Sequence, residues 1–322
     1  MKNFKRGYKI FNDSKYEIVS YRENYFPLVR RLFHESRAIK KPKSYFLYNL
    51  SKTPYGKPIR FLMKYGKQIV GSHSIRPFKL KIKNREFLGG LTYNTMTNPT
   101  HRNKGIFVSL ATKTHQEAKK RKYNFVMGFA NENSIYGYKR KLGHVELGPI
   151  NFVKIDESNF GIKEFPKIHD HWFPRNLGKL NQEYKIRKTF PVRIERDSKF
   201  INWRYKKNLI SRYMTCYKPK EYFFIFKKYS DTLHIIDFFG KDNEFHKLLI
   251  STARNLAKKT SCKEVTMWIS KKHPLMKLLD KNSLVKLKQK HYLHVITYNE
   301  SISPIMMDFD NWYYTMGDSD VF

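Results

Sequence analysis

The sequence predicts an α+β protein made of two related modules, each a mixed, mostly antiparallel sheet flanked by helices. Three observations carry this. The order strand, long helix, strand, short helix, strand occurs twice, with similar lengths. The 322 residues are enough for two ordinary domains. A composition of 40% hydrophobic and 16% aromatic residues folds rather than staying disordered. The pattern puts the first module at residues 1–155, a linker and interdomain stretch at 156–189, and the second module with a C-terminal tail at 190–322.

The elements follow in chain order. Asn24 is a capping residue for a helix from Tyr25 to about Lys40, with Pro27 tolerated in its first turn. Ile59–Lys64 and Gln68–Ile75 read as strands joined by a Tyr65-Gly66-Lys67 turn, and Phe78–Ile82 alternates as a further strand. Leu88–Thr97 is the next strand, stopped by Pro99. A helix from Ile106 to Arg121 sets Phe107, Leu110, Ala111, Thr114 and Ala118 on one face. Asn124–Ala130 is an apolar, buried strand. Asn133 or Ser134 caps a short helix to Leu142, which Gly143 ends, and Val145–Ile155 closes the module.

In the second half, Leu233–Phe239 is a strand, Asn243 caps a helix to Lys259, and Glu264–Ile269 is a strand. Pro274 opens a short helix to Asp280, and His291–Tyr298 is the final strand.

The charge is large: 64 basic and 27 acidic residues give +37. Such a balance suits a polyanion partner, nucleic acid or a membrane surface. It is equally what an AT-rich genome encodes, since Lys, Asn, Ile, Tyr and Phe are abundant and the basic residues are spread along the chain. No helix-turn-helix, zinc-finger or RNA-recognition signature is legible, so no specific nucleic-acid partner is expected. Cys216 and Cys262 fit no metal or redox spacing, which suits a reducing cytoplasm. Met1–Ser14 lacks the apolar stretch of a signal peptide, and no run is long enough to span a membrane. Neither a nucleophile elbow nor a triphosphate-binding P-loop occurs.

The chemistry concentrates in Met96–Phe107, a basic turn between a strand and a helix. A helix N-terminus gathers backbone N–H groups and about half a positive charge. Gly105 lets the backbone approach a phosphate, and Arg102 and Lys104 add charge. A pyrophosphate is the natural ligand.

Arg102-Asn103-Lys104-Gly105-Ile106 resembles the Arg/Gln-x-x-Gly-x-Gly/Ala signature of the GNAT acyltransferase superfamily. Downstream, Asn131-Glu132-Asn133-Ser134 and Tyr138-Lys139-Arg140-Lys141-Leu142-Gly143-His144 resemble its second signature. Phe107 stands where a small residue is usual, and His144 where an aromatic is usual. Asp197-x-x-Phe200-x-x-Trp203-Arg204-Tyr205 and Trp312-x-x-Thr315-Met316-Gly317-Asp318-Ser319-Asp320 extend the likeness to a tandem branch associated with bacterial surface-polysaccharide loci.

The resemblance implies an N-acyltransferase that passes an acetyl or other short acyl group from acyl-CoA to a primary amine, an amino sugar or sugar nucleotide, with no metal. It implies one CoA per chain, because Gly240-Lys241-Asp242-Asn243-Glu244 would set acidic residues against a pyrophosphate in the second module. Met96 and Thr97 would serve the pantetheine arm, with Asn131 and Ser134 at the next strand end. Arg102, Asn103, Lys104, Gly105, Ile106 and Phe107 would hold the pyrophosphate. Tyr138, with Tyr136 in reserve, would protonate the leaving thiolate, and Asp318 and Asp320 would meet the acceptor. His73, His101, Glu86 and the Asp318/Asp320 pair stay open as bases. A nucleic-acid-binding protein, a module that no longer catalyses, and a Fem-like peptidyl transferase are the alternatives. The last takes aminoacyl-tRNA and would not need the Arg102–Gly105 loop.

Overall fold

The computed structural model describes residues 14–155, 160–174, 189–208, 210–240, 244–279 and 290–320. Its core is two mixed sheets with helices packed against them. Strand β1 (Tyr16–Ser20) leads through a 3-10 turn into α1 (Phe26–Arg37). Tyr25, not Asn24, precedes that helix, because the turn takes up Glu23–Tyr25; Pro27 does sit in the first turn. Helix α2 (Lys43–Leu50), absent from the sequence expectations, follows Pro42 and buries Phe46 against Val29 and Phe33.

Strands β2 (Ile59–Tyr65), β3 (Gln68–Ile82) and β4 (Arg85–Thr97) form an antiparallel meander. The two runs expected at Gln68–Ile75 and Phe78–Ile82 are one strand. Pro77 fits inside it because β2 pairs only as far as Ile75, and the next neighbour on that edge begins at Leu80. Helix α3 (Ile106–Lys120) crosses to β5 (Phe125–Asn131), which runs parallel to β4, and α4 (Glu132–Lys141) leads to β6 (Val145–Pro149). Helix α3 packs closely on β3: a Cβ on Gly71 would lie 2.5 Å from Ile106 Cγ2.

The second sheet runs β7 (Phe152–Lys154), β13 (Glu264–Trp268), β12 (Thr232–Gly240), β11 (Tyr222–Tyr229), β10 (Met214–Lys218), β8 (His169–Asp170). Helix α5 (Glu244–Lys259) connects the parallel pair β12 and β13. Its expected cap, Asn243, lies outside the described residues, as do Lys241 and Asp242.

The halves exchange strands. The stretch expected as one closing strand, Val145–Ile155, splits: β6 stays in the first sheet and β7 pairs with β13 in the second. Strand β14 (His291–Thr297), expected to close the second module, inserts between β5 and β6 of the first. Strand β9 (Val192–Ile194) also joins the first sheet, on β3. A cut between residues 155 and 190 therefore does not separate the two sheets. Each completes itself with chain from the other side, because Ile150 and Asn151 turn the backbone from one sheet to the other.

The C-terminal residues Trp312–Ser319 are buried between the halves. Arg196 donates to Asp237 at 2.8 Å and to Asp318 at 2.7 Å, and Arg204 donates to the carbonyls of Gly317 and Ser319. Gly317 has no room for a side chain: a Cβ would meet the Tyr205 hydroxyl at 2.0 Å. The two stretches of sequence around Trp203-Arg204-Tyr205 and Gly317-Asp318 thus lock together.

Candidate functional site

Strands β4 and β5 pair only at Gly90–Val126 and Leu91–Met127, although both continue for several residues. Beyond Leu91 they part and leave a wedge. A bulge shapes its β4 side: Ser72 faces Met96 and Ser74 faces Tyr93, so Asn94 and Thr95 together oppose His73, with Asn94 at φ 49°. A bulge leaves backbone groups outside the ladder, which suits a strand edge that hydrogen-bonds a ligand. Met96 and Thr97 lie at the mouth on the same strand; the Met96 side chain is in the core beside Val29 and Leu62, so only its backbone serves the wedge.

The basic turn stands at that mouth. Asn98 accepts from the Thr100 N–H and fixes a short 3-10 turn, Pro99–His101. Asn103 and Gly105 are both left-handed, at φ 61° and 76°. Gly105 is the N-cap residue of α3, and among the described residues no side chain caps that helix. Its first N–H groups are open to an anion. Arg102, Asn103, Lys104 and Gly105 are exposed there. Ile106 instead buries its side chain against Gly71. Phe107 reaches toward α4, where a Cβ on Gly137 would be 2.5 Å from its ring. Glycine at 137 is what admits the large residue at 107.

At the β5 end, Asn131 caps α4 by accepting from Ser134 N–H at 3.1 Å and from the Ser134 hydroxyl at 3.0 Å. The cap is Asn131 rather than Asn133 or Ser134, because β5 runs straight into the helix. Gly143 ends α4 at φ 71°, as expected.

Tyr138 forms the floor. It is buried on α4, and its hydroxyl lies 3.0 Å from His73 Nε2 and 3.4 Å from Thr95 Oγ1. Burial pushes its phenol up to about 12, and the Thr95 and Thr92 hydroxyls pull it the other way. His73 Nδ1 lies 2.7 Å from Thr114 Oγ1, which donates to the Ala111 carbonyl. Burial, then the neighbouring His115 and His294, holds His73 well below the ordinary histidine range, so the ring is neutral.

Tyr136, by contrast, is 63% exposed on the outer face of α4 and takes no part. The other sequence candidates separate too. Glu86 pairs with Lys79 at 2.7 Å on the solvent-facing β3–β4 hairpin. His101 is bonded to the Tyr16 hydroxyl at 2.8 Å in the basic turn. Asp318 is 4% exposed and held by Arg196, so it cannot meet an acceptor. Asp320 is half-buried, and its charge reaches Tyr138, Tyr45 and His291.

The sequence reading missed three histidines beside the floor. His294 on β14 stacks on Tyr138 with ring centroids 4.1 Å apart. Its Nδ1 lies 2.9 Å from His144 Nδ1, and His144 Nε2 lies 3.2 Å from His115 Nε2. Because His144 uses opposite nitrogens, the rings form a chain rather than a shell around one point. Among the described residues, no group of His, Cys, Asp or Glu is arranged to hold a metal ion.

Residues 18–141 match the family model of an acetyltransferase (GNAT) domain. No curated protein matches the chain. Among solved structures, the chain is similar to a GCN5-related N-acetyltransferase from Kribbella flavida. The TM-score is 0.64 and the identity 12%, over 91% of this chain and 73% of that one. A GCN5-related N-acetyltransferase from Anabaena variabilis gives 0.64 and 13%, over 87% and 72%. The N-myristoyltransferase of Saccharomyces cerevisiae, solved with bound myristoyl-CoA, gives 0.60 and 10%, over 88% and 83%. At these identities the likeness is one of fold. No helix among the described residues is long and apolar enough to cross a membrane. Residues 18–141, under half of the chain, are thus similar to an acetyltransferase (GNAT) domain, and the chain shares its fold with solved acyltransferases.

Proposed function

We propose that the chain transfers an acetyl or other short acyl group from acyl-CoA to a primary amine, by direct attack with both substrates bound. One observation carries the reading: the wedge between β4 and β5 has the uncapped N-terminus of α3 at its mouth and the Tyr138 hydroxyl at its floor. The pyrophosphate would lie on the N–H groups that open α3, beside Arg102 and Lys104, where a helix N-terminus favours negative charge. The pantetheine arm would take the vacant edge of β4 around Thr95–Thr97, near Asn131 and Ser134. The thioester would then lie close to Tyr138.

Position and polarity do most of the work. The amine attacks the thioester carbonyl, the C–S bond breaks, and the thiolate takes the Tyr138 proton. Burial suits that role, since it keeps the phenol protonated at neutral pH. Asp320 is half-buried, and its charge would hold an arriving amine as its ammonium, which gives one proton to water before it attacks. An amino sugar or sugar nucleotide is the proposed acceptor, supported by the resemblance to the polysaccharide-locus branch. One CoA per chain in the first module, and a cytoplasmic setting, complete the proposal.

The test follows free thiol released from acetyl-CoA as glucosamine and UDP-linked amino sugars are offered in turn. Amine-dependent thiol release, with the acetylated sugar found by mass, is the expected result. Release that is the same with and without amine overturns transfer to these acceptors.

A further inference from the structure

The acyl-transfer reading names an acid but no base, and the buried histidines fill that gap. Strand β14 pairs His294 directly opposite Gly128 on β5. Only a glycine lets the imidazole lie across that strand: a Cβ on residue 128 would be 2.7 Å from His294 Nε2 and 2.1 Å from Thr92 Oγ1. His294 Nε2 therefore reaches over β5 to Thr92, on the side of β4 where the wedge opens. The ring is fully buried, and among the described residues this nitrogen has no hydrogen-bond partner. A buried polar atom left unpartnered calls for a ligand or a role.

Its other nitrogen starts a continuous chain. His294 Nδ1 meets His144 Nδ1 at 2.9 Å, His144 Nε2 meets His115 Nε2 at 3.2 Å, and His115 Nδ1 meets the Tyr298 hydroxyl at 3.1 Å. The rings lie on β14, on the turn after α4 and on α3, and Tyr298 is half-buried just past β14. A neutral imidazole has one donor and one acceptor nitrogen. Two directions are thus possible, and in either one every link has one donor and one acceptor.

We propose that His294 is the general base of the acyl transfer, and that His144, His115 and Tyr298 relay its proton to solvent. This rests on the acyltransferase reading. As the C–N bond forms, His294 Nε2 takes the proton of the attacking nitrogen. His294 Nδ1–H passes to His144 Nδ1, His144 Nε2–H to His115 Nε2, and His115 Nδ1–H to the Tyr298 oxygen, whose own proton goes to water. One proton enters and one leaves, and no ring stays charged. Tyr138 protonates the departing thiolate. Once the products leave, the same chain runs inward and returns a proton through His294 Nε2 to water entering the wedge, which passes it to the phenolate. With the ammonium's extra proton given to water before attack, the two runs balance the reaction and reset every tautomer.

Two measurements test this on the full chain. Nitrogen-15 NMR of the histidine rings, without substrate at neutral pH, reads the tautomers and needs no turnover. The relay requires His294 and His115 to share one tautomer and His144 to hold the opposite one, all neutral. A charged ring, or three like tautomers, overturns it. The second measurement is His144→Phe, which keeps a ring in place but breaks the chain. With acetyl-CoA and whichever of glucosamine or a UDP-linked amino sugar the wild type acetylates, kcat should fall about 100-fold. KM for acetyl-CoA should hold, and the solvent deuterium isotope effect on kcat should change. Wild-type kcat and isotope effect in the folded variant overturn the relay. Failure of the wild type to acetylate any amine counts against the acyltransferase reading, while the tautomer pattern still decides the relay.

Discussion

In the proposed mechanism, Tyr138 and Gly128 matter most at the scale of single residues. Replacing Tyr138 with Phe removes the hydroxyl that lies 3.0 Å from His73 and leaves the packing of the ring. Turnover should fall roughly 100-fold while acetyl-CoA affinity holds, as expected for loss of a general acid. Comparing kcat with a calorimetric Kd checks this, and unchanged turnover removes Tyr138 as the acid. Gly128→Ala acts from the other side. Its Cβ would overlap Thr92 Oγ1 and crowd His294, so one of them must move. Turnover should fall by about tenfold or more, again with CoA binding kept, for a general base displaced from its proton. Wild-type kinetics would show that His294 is not needed where it stands. Tyr138 was legible in the sequence because a short helix ended by Leu142-Gly143 fixes its spacing. His294 was not, because its partner His144 is 150 positions away and a lone histidine in an apolar strand reads as core. The available signal was Gly128, a glycine inside a buried strand, which marks a close approach.

Among the elements, the meander, α3, β5 and α4 follow from periodicity and turn residues, and α2 does not. Its apolar residues Tyr45, Phe46, Leu47, Tyr48 and Leu50 do not fall on one stripe, so pattern alone could not place it. Asp318, expected to meet an acceptor, is instead closed over by Arg196, a partner 122 positions away that no local pattern reveals. The ion triad makes a sharp prediction. Asp237 and Asp318 are both buried, and Arg196 is the cation between them. Arg196→Met would leave two buried carboxylates without it and should cost about 3–5 kcal/mol of stability. Denaturant unfolding measures that loss. A loss under about 1 kcal/mol, the range of exposed pairs, would show that the tail does not depend on this ion triad.

The whole molecule is held together by its strand exchange. β14 sits between β5 and β6, so the second half of the chain completes the first sheet and delivers His294 to the wedge. No sequence pattern shows this, because periodicity assigns a strand but not its sheet. The buried histidines also set the response of the fold to acid. Burial lowers His115 to about 4 and His294 to about 3, and depresses His144 and His73 as well. An unfolded histidine titrates near 6.5, so below that pH the unfolded chain binds more protons than the native one. Stability is then fully present above about pH 6.5 and declines as pH falls toward 4. Urea midpoints taken from pH 7 down to 4 should drop steadily, and a flat profile would mean that these rings are not buried neutral.

Acyl-CoA binding at the α3 turn is the claim on which the account rests, and isothermal calorimetry with acetyl-CoA in moderate salt tests it most directly. With +37 of net charge, a plain polyanion serves as the control. Gly105→Glu sets a carboxylate against the uncapped helix end, where only an exposed loop must adjust. The account predicts one saturable site per chain, lost in that folded variant. Heat indistinguishable from the polyanion, or equal affinity in Gly105→Glu, would contradict it.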